Sequence, residues 1–151
     1  MSIGEICNRE VVFCRKGETT QEAAELMRRH HVGCLVVVDE SREHPRPLGV
    51  VTDRDLVVEI RAGKVSPETV LVGDVMSDDL ATAREDEGIW EVVRRMRAKG
   101  VRRLPILDEE GAVIGIVTMD DMMEFLADEF CGLVKLLARE REREEKTRTR
   151  P

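Results

Sequence analysis

The chain has no tyrosine, one tryptophan and three phenylalanines among its 151 residues. Its core must therefore be aliphatic, and it lacks the stacking platforms on which single-stranded nucleic acid is held. Cations are also in deficit: 24 Lys and Arg face 31 Asp and Glu, a formal net charge of −7. That balance opposes loose duplex binding, which needs many phosphate-neutralising cations. An anionic ligand must be caught by a local cluster of Arg or Lys against the overall field. The four cysteines, Cys7, Cys14, Cys34 and Cys131, are widely spread and form no Cys-x-x-Cys pair, so zinc is not expected. Cys34 lies inside an apolar run and reads as a buried structural thiol. No apolar run approaches the ~20 residues of a membrane span, and no signal-type segment opens the chain. A soluble cytoplasmic protein with reduced thiols is the expectation. Gly-x-Ser-x-Gly, His-Glu-x-x-His and P-loop patterns are all missing, which argues against an enzyme. His30 and His31 close a helix, and with His44 they do not make a metal set.

What the chain does have is a repeat. Laying Gly4 to Asp55 over Gly73 to Asp121 pairs Ile6 with Val75, Met27 with Met96, Val32 with Val101, Leu35 with Leu104 and Asp39 with Asp108, a constant offset of 96 − 27 = 69. After a loop three residues shorter in the second copy, Gly49-Val50-Val51-Thr52-Asp53-Arg54-Asp55 falls on Gly115-Ile116-Val117-Thr118-Met119-Asp120-Asp121. A unit of about 60 residues buries too little surface to be secure alone. Two such units should pack together, and a ligand should be sought in the groove between them.

Each unit reads as β-α-β-β-α, an α+β class. Thr19-Thr20-Gln21-Glu22 is a capping box opening a helix to about His30, with Ala23, Ala24, Met27 and Val32 on or near its inner side. The matching helix runs from about Glu87 to Lys99, stopped by Gly100. Leu35 to Val38 and Leu104 to Leu107 are short apolar runs, as expected of strands covered on both faces. Asp108 to Gly111 supplies a hairpin before a strand at Val113 to Val117. The first copy has a longer loop, Glu40 to Pro47, before Leu48 to Val51. Val11 to Phe13 and Leu80 to Thr82 are expected to be the short leading strands. The organisation is repeat one at 1–62, a linker at 63–72 with a turn at Ser66-Pro67, repeat two at 73–128 and a helical extension at 129–151.

Beyond the second repeat, Met119, Met122, Leu126, Phe130, Leu133 and Leu137 recur at three- and four-residue steps, an apolar stripe on a long helix. Met122 and Met123 are read as core residues ahead of Met119. Gly132 weakens the helix, and the Arg-Glu alternation of Glu140 to Glu145 continues it into solvent before Lys146 to Pro151 fray. The stripe either packs on its own sheet or meets a second copy of the chain.

The Gly-x-x-Thr-x-x-Asp pattern recurs at the strand-to-helix junction of both repeats. A threonine there can cap the helix and offer a hydroxyl to phosphate beside the first-turn N–H groups. An aspartate one turn in can accept from the vicinal hydroxyls of a ribose. Thr-x-x-Asp is equally a capping-box variant that touches no ligand.

Taken with Gly4-Glu5-Ile6 and Gly73-Asp74-Val75-Met76, with Val32 to Asp39 and with Val101 to Asp108, the repeated motif resembles a tandem cystathionine-β-synthase (CBS) domain pair, the Bateman module. The likeness covers roughly Gly4 to Leu126. It implies a non-catalytic regulatory module that binds AMP, ADP, ATP or S-adenosylmethionine in clefts between the repeats, with magnesium as counter-ion when the ligand is ATP, and that modulates a partner protein. A ligand-free dimerisation or docking subunit is the alternative. By the same resemblance Asp55 and Asp121 hold ribose hydroxyls, Thr52 and Thr118 lie near ribose or phosphate, and Arg102 and Arg103 reach phosphates. Phe13, Cys14, Thr82 and Ala83 edge the base, and the modules pair as homodimers. Arg54 has no cationic counterpart in the second copy, where Asp120 stands. The cleft of Thr52, Arg54 and Asp55 is accordingly expected to take the more highly charged ligand.

Overall fold

The computed structural model describes residues 1–41 and 43–148. In chain order the elements are β1 (Phe13–Arg15), α1 (Thr20–His30), β2 (Cys34–Val38), β3 (Pro47–Thr52), α2 (Asp53–Asp55, continued as a π-helix over Leu56–Ala62), α3 (Val72–Val75), β4 (Ala83–Arg84), α4 (Ile89–Lys99), β5 (Arg103–Leu107), β6 (Val113–Thr118) and α5 (Met119–Thr147). The α+β repeat is therefore real, with sheet orders β1-β2-β3 and β4-β5-β6. The chain forms two compact units, one of Met1–Val117 and one that begins at Thr118.

Capping sets the helix limits. Thr19 Oγ1 accepts from the Glu22 N–H (3.2 Å) while Glu22 Oε2 accepts from the Thr19 N–H (2.7 Å), satisfying donors that a first turn leaves free. His31 ends α1 in the left-handed region at φ 54°, and Gly100 ends α4 at φ 65°. Helix α4 starts at Ile89 rather than Glu87, because the Glu87 carboxylate accepts from the Arg84 N–H (2.7 Å) in the turn before it.

Within each sheet the leading strand is parallel to its neighbour. Phe13, Cys14 and Arg15 pair with Val36, Val37 and Val38, and Ala83 and Arg84 pair with Ile106 and Leu107. Strand β1 thus starts at Phe13, the last residue of the apolar triplet that suggested it, and β4 lies just beyond Leu80 to Thr82. Their pairing is fixed by the register of β2 and β5, whereas hydropathy marks only the approach to the ladder. Strand β2 runs antiparallel to β3, with Cys34 opposite Thr52.

Strand β2 is buried on both faces because its residues alternate between two cores. Leu35 and Val37 join Cys14, Ala23, Met27, Val51 and Val72 under α1. Val36 and Val38 turn the other way, onto Val113 with Phe13, Leu107 and Ile116. That second cluster joins the two sheets, so neither repeat has a complete core alone.

The repeats also exchange their leading segments. Ile3 and Gly4 donate to Glu87 O (2.8 Å) and Glu85 O (3.0 Å), and Asn8 and Ile116 bond reciprocally at 2.9 Å. The same bonds recur one offset later: Val72 to Glu18 O (2.8 Å), Gly73 to Lys16 O (3.1 Å), and Ser77 with Val50 at 2.9 and 3.0 Å. Gly49 and Gly115 are small because of this crossing. A Cβ at Gly115 would stand 2.7 Å from Cys7 Sγ and 3.1 Å from Asn8 O, and one at Gly49 would collide with Ser77 O. The glycine of the repeated motif thus admits the other repeat's backbone.

The second unit is α5, continuous through Gly132 to Thr147. Its 126–148 stretch is exposed throughout, whereas Met122 is buried. Met123, expected in the core, is 61% exposed; the three- and four-residue steps fitted either methionine, and adjacent helical positions point about 100° apart. The fraying expected from Lys146 does not begin before Thr147, where the helix ends, and 149–151 lie outside the described residues. Among the described residues no helix is long and apolar enough to cross a membrane.

Candidate functional site

Both copies of the threonine-aspartate motif are built as capping boxes. Asp55 Oδ2 accepts from the Thr52 N–H (2.8 Å) and Thr52 Oγ1 from the Asp55 N–H (3.2 Å). In the second unit Asp121 Oδ2 accepts from the Thr118 N–H and from the Thr118 hydroxyl, both at 2.7 Å, while Thr118 Oγ1 accepts from the Asp121 N–H at 3.2 Å. The pairs sit at the ends of β3 and β6, where an extended threonine turns into a helix. One carboxylate oxygen of each aspartate does the capping. A carboxylate offers about four acceptor positions in all, so its second oxygen keeps acceptor capacity.

Around the first box the two repeats meet. The Asp53 N–H donates to Gly33 O (3.0 Å), and a Cβ on Gly33 would come within 2.9 Å of Asp53 Oδ2. Next to it, Cys34 has a thiol pKa pushed up to about 11, first by burial and then by the charges of Asp55 and Asp53, with Arg103 acting in the opposite direction. Cys34 and Arg103 are equivalent residues, 103 − 34 = 69. The arginine that opens β5 therefore stands close enough to act on the thiol that opens β2, beside the aspartates of α2. Arg54, Arg102 and Arg103 are exposed, and Thr52 and Asp55 are half-buried.

A cavity of about 650 Å³ is lined by Asn8, Glu10, Val11, Val12, Phe13, Leu26, His30 and Val32, within the range of small-molecule pockets. Phe13 is the one base-edge candidate in its wall. The side chains of Cys14 and Ala83 are buried, 1% and 2% exposed, so those positions offer backbone to a ligand. Burial also pushes the Cys14 thiol up to about 12. Val32 leads through Gly33 and Cys34 straight to the Thr52 box. Of the lining residues, the motifs had pointed to Phe13 and Val32. Leu26 and His30 carried only a weak signal, an apolar and a titratable residue four apart on the face of α1 toward β1.

At the equivalent place of the second repeat the walls are ionic. Arg95 replaces Leu26 and donates to Thr82 O (2.6 Å) and to both carboxylate oxygens of Glu87. Lys99 replaces His30 and pairs with Asp79 at 3.4 Å. Glu87 is held below the ordinary carboxylate range chiefly by the Arg95 hydrogen bonds, against some desolvation.

A second cavity, of about 850 Å³, lies among Thr20, Ala24, Leu56, Ile60, Arg61 and Lys64. It includes none of the motif residues. Among the described residues no group of three or more His, Cys, Asp or Glu is placed to hold a metal ion.

An uncharacterized protein of Methanopyrus kandleri is 41% identical over 124 residues, 82% of this chain and 62% of that protein. The chain thus spans about three-fifths of that relative's length. Hypoxic response protein 1 of Mycobacterium tuberculosis is 32% identical over 82% of this chain and 84% of its own length. A crystal structure of Hypoxic Response Protein I with two coordinated zinc ions matches with a TM-score of 0.70 at 28% identity, covering 82% of this chain and 98% of that one. The cytosolic domain of the Mg2+ channel MgtE, solved in complex with ATP, matches with a TM-score of 0.69 at 32% identity, over 82% of this chain and 48% of that one. Residues 3–62 and 72–128 each match the CBS domain. The doubled β-α-β-β-α unit, the exchanged leading segments and these matches agree: the chain belongs to the CBS domain family and carries two copies of the domain as a tandem pair.

Proposed function

We propose that the chain is a regulatory module that binds an adenosyl ligand, of the AMP, ADP, ATP or S-adenosylmethionine class, and passes its occupancy to a partner protein. The observation that carries this reading is a placement inside the first unit: the wall of an apolar cavity ends at Val32, two residues along the chain from Cys34, which pairs with Thr52 of the box. The pocket at Phe13, Leu26 and Val32 thus neighbours the Thr52–Asp55 box along the chain, and Arg103 acts on Cys34 between them. The pocket suits a purine, the second oxygen of Asp55 suits the vicinal ribose hydroxyls, and Thr52 with Arg103 and Arg54 suits phosphate or another anion. Thr118 and Asp121 offer the same hydroxyl and carboxylate on their own helix, and Arg102 adds a further cation. With ATP, magnesium would ride on the phosphates. The MgtE domain, crystallised with ATP, supports the ligand class.

On this reading residues 1–62 and 73–128 are the working repeats, 63–72 joins them, and 129–151 extends the second. The module acts in the cytoplasm as a homodimer and catalyses nothing itself. Ligand that binds the folded pair and stiffens the inter-repeat contact changes the partner through a coupling free energy. Mass spectrometry of the small molecules released from natively purified protein identifies the ligand. Thermal unfolding then tests it: at 100 times the dissociation constant the ligand should add about 2.7 kcal/mol of stability. An unchanged midpoint with every adenosyl compound would leave the structural alternative.

A further inference from the structure

Helix α5 leaves an ordered apolar seam uncovered. Met119, Met123, Leu126, Phe130, Leu133 and Leu137 follow one another at steps of four, three, four, three and four residues, and they are 47%, 61%, 43%, 67%, 62% and 59% exposed. That is the a/d pattern of a two-helix seam sustained over about 27 Å of helix. Val134 and Leu136 widen it at the level of Leu133. A helix of this length with a continuous exposed stripe draws most of its stability from a packed face.

Charge says which helix covers it and in which direction. Between Met119 and Phe130 stand Asp120, Asp121, Glu124, Asp128 and Glu129 with no base. Between Lys135 and Arg148 stand six bases (Lys135, Arg139, Arg141, Arg143, Lys146 and Arg148) against four glutamates. Two copies side by side in parallel would crowd ten carboxylates into about 16 Å of a shared axis. Reversing one copy sets each acidic half instead against residues 133–144, which carry four bases and three glutamates, and the helix dipoles then oppose as well.

We propose that α5 is the self-association element of this protein, pairing antiparallel with α5 of a second copy about a centre at Cys131-Gly132. In this register Phe130 meets the second copy's Leu133 and Leu126 meets the second copy's Leu137. Asp120 comes beside the second copy's Arg141 at seam-flanking positions, while Glu124 lies level with the second copy's Arg139, and Asp128 with the second copy's Lys135, on the outer faces, where they act through the field of each half. The pairing is independent of the ligand reading, because it uses residues outside the Thr52–Arg103 path.

The full chain should sediment as a concentration-dependent dimer, and Phe130→Glu or Leu133→Glu should weaken the dimer by about 30-fold or more. The repeats of Met1–Val117 should keep their fold, since both side chains are exposed and lie outside that unit, while the helical signal of α5 should fall with the dimer. Orientation is read by oxidative cross-linking in a Cys131→Ser parent that itself gives no covalent dimer. The double variant Leu126→Cys with Leu137→Cys should form a covalent dimer, while either single variant should not. Cross-linking by Leu126→Cys alone means a parallel pair and overturns the proposal. A monomer at all concentrations overturns it too, and assigns the seam to another protein. So does a dimer indifferent to Phe130→Glu, which places the contact elsewhere. Nucleotide binding measured on the same variants separates any of these results from failure of the ligand reading.

Discussion

Arg95 stands in the second repeat where Leu26 stands in the first, and it ties the Thr82 carbonyl to the Glu87 carboxylate. One substitution at one repeated position thus turns an apolar wall into an ionic clamp. The two repeats share a backbone, yet they offer a ligand different surroundings.

Replacing Arg95 by leucine should lower stability by about 1 kcal/mol in urea unfolding. The bonds are charge-assisted, but the Arg95 side chain is 38% exposed and solvent screens the pair. The loss should depend on pH in a definite sense. Glu87 is depressed in the folded state, so its contribution is complete above the unfolded carboxylate pKa and disappears as pH falls through the folded value. Wild type and variant should therefore converge on acidification. A gap that widens towards acid pH would contradict the clamp.

Gly49→Ala should cost about 1–3 kcal/mol, since its Cβ meets the Ser77 backbone, which cannot step aside. Gly115→Ala should cost less, because its nearest obstacle is the Cys7 side chain, 2.7 Å away. Gly17→Ala, with open space around it, should lie within about 0.5 kcal/mol of wild type. Chemical denaturation of the three variants checks the order; equal costs would refute the account of the crossing segments.

Cys131 is exposed, whereas Cys14 is buried and Cys34 half-buried, and desolvation pushes their thiols up to about 12 and about 11. A thiol reagent at pH 8 should modify Cys131 first and leave Cys14 and Cys34 to react only on unfolding. Both thiols have raised folded pKa values, although Cys34, expected to be buried, is only half-buried because it opens β2 at the edge of the core. Their stabilisation is thus whole below the unfolded value of about 9 and is lost as pH climbs through 11 to 12. Unfolding at pH 8 and pH 10.5 should show the fall. Labelling of Cys34 as early as Cys131 in mass-resolved experiments would contradict its raised thiol pKa.

If the first repeat takes the more highly charged ligand, Asp55→Ala should reduce nucleotide affinity more than Asp121→Ala does, by calorimetry. Each variant also loses the capping-box acceptor, and Asp121→Ala loses the Thr118 hydroxyl bond besides, so the folding cost should be the larger for Asp121→Ala while the binding cost is the larger for Asp55→Ala. Equal binding losses would count against the asymmetry.

The repeat, the capped helices and the doubly buried strands were legible because each rests on local chemistry: a Thr19–Glu22 box, a glycine stop at Gly100, a run of branched residues. What stayed hidden needed tertiary partners. The registers of β1 and β4 are set by β2 and β5. The roles of Gly49 and Gly115 come from segments crossing from the other repeat. At the candidate site the threonines and aspartates could be picked out from spacing, but their capping and binding roles share the same atoms. Leu26 and Arg95 drew no notice, since a single apolar or basic helical residue is unremarkable until its neighbours are known.

Calorimetric titration of Asp55→Asn with AMP and ATP tests the central claim most directly. Asparagine keeps an oxygen to cap the Thr52 N–H, but its other terminal atom becomes a donor and cannot accept from a ribose hydroxyl. The account predicts an unchanged melting temperature with nucleotide affinity lowered by at least tenfold, about 1.4 kcal/mol. Wild-type affinity in that variant would contradict it.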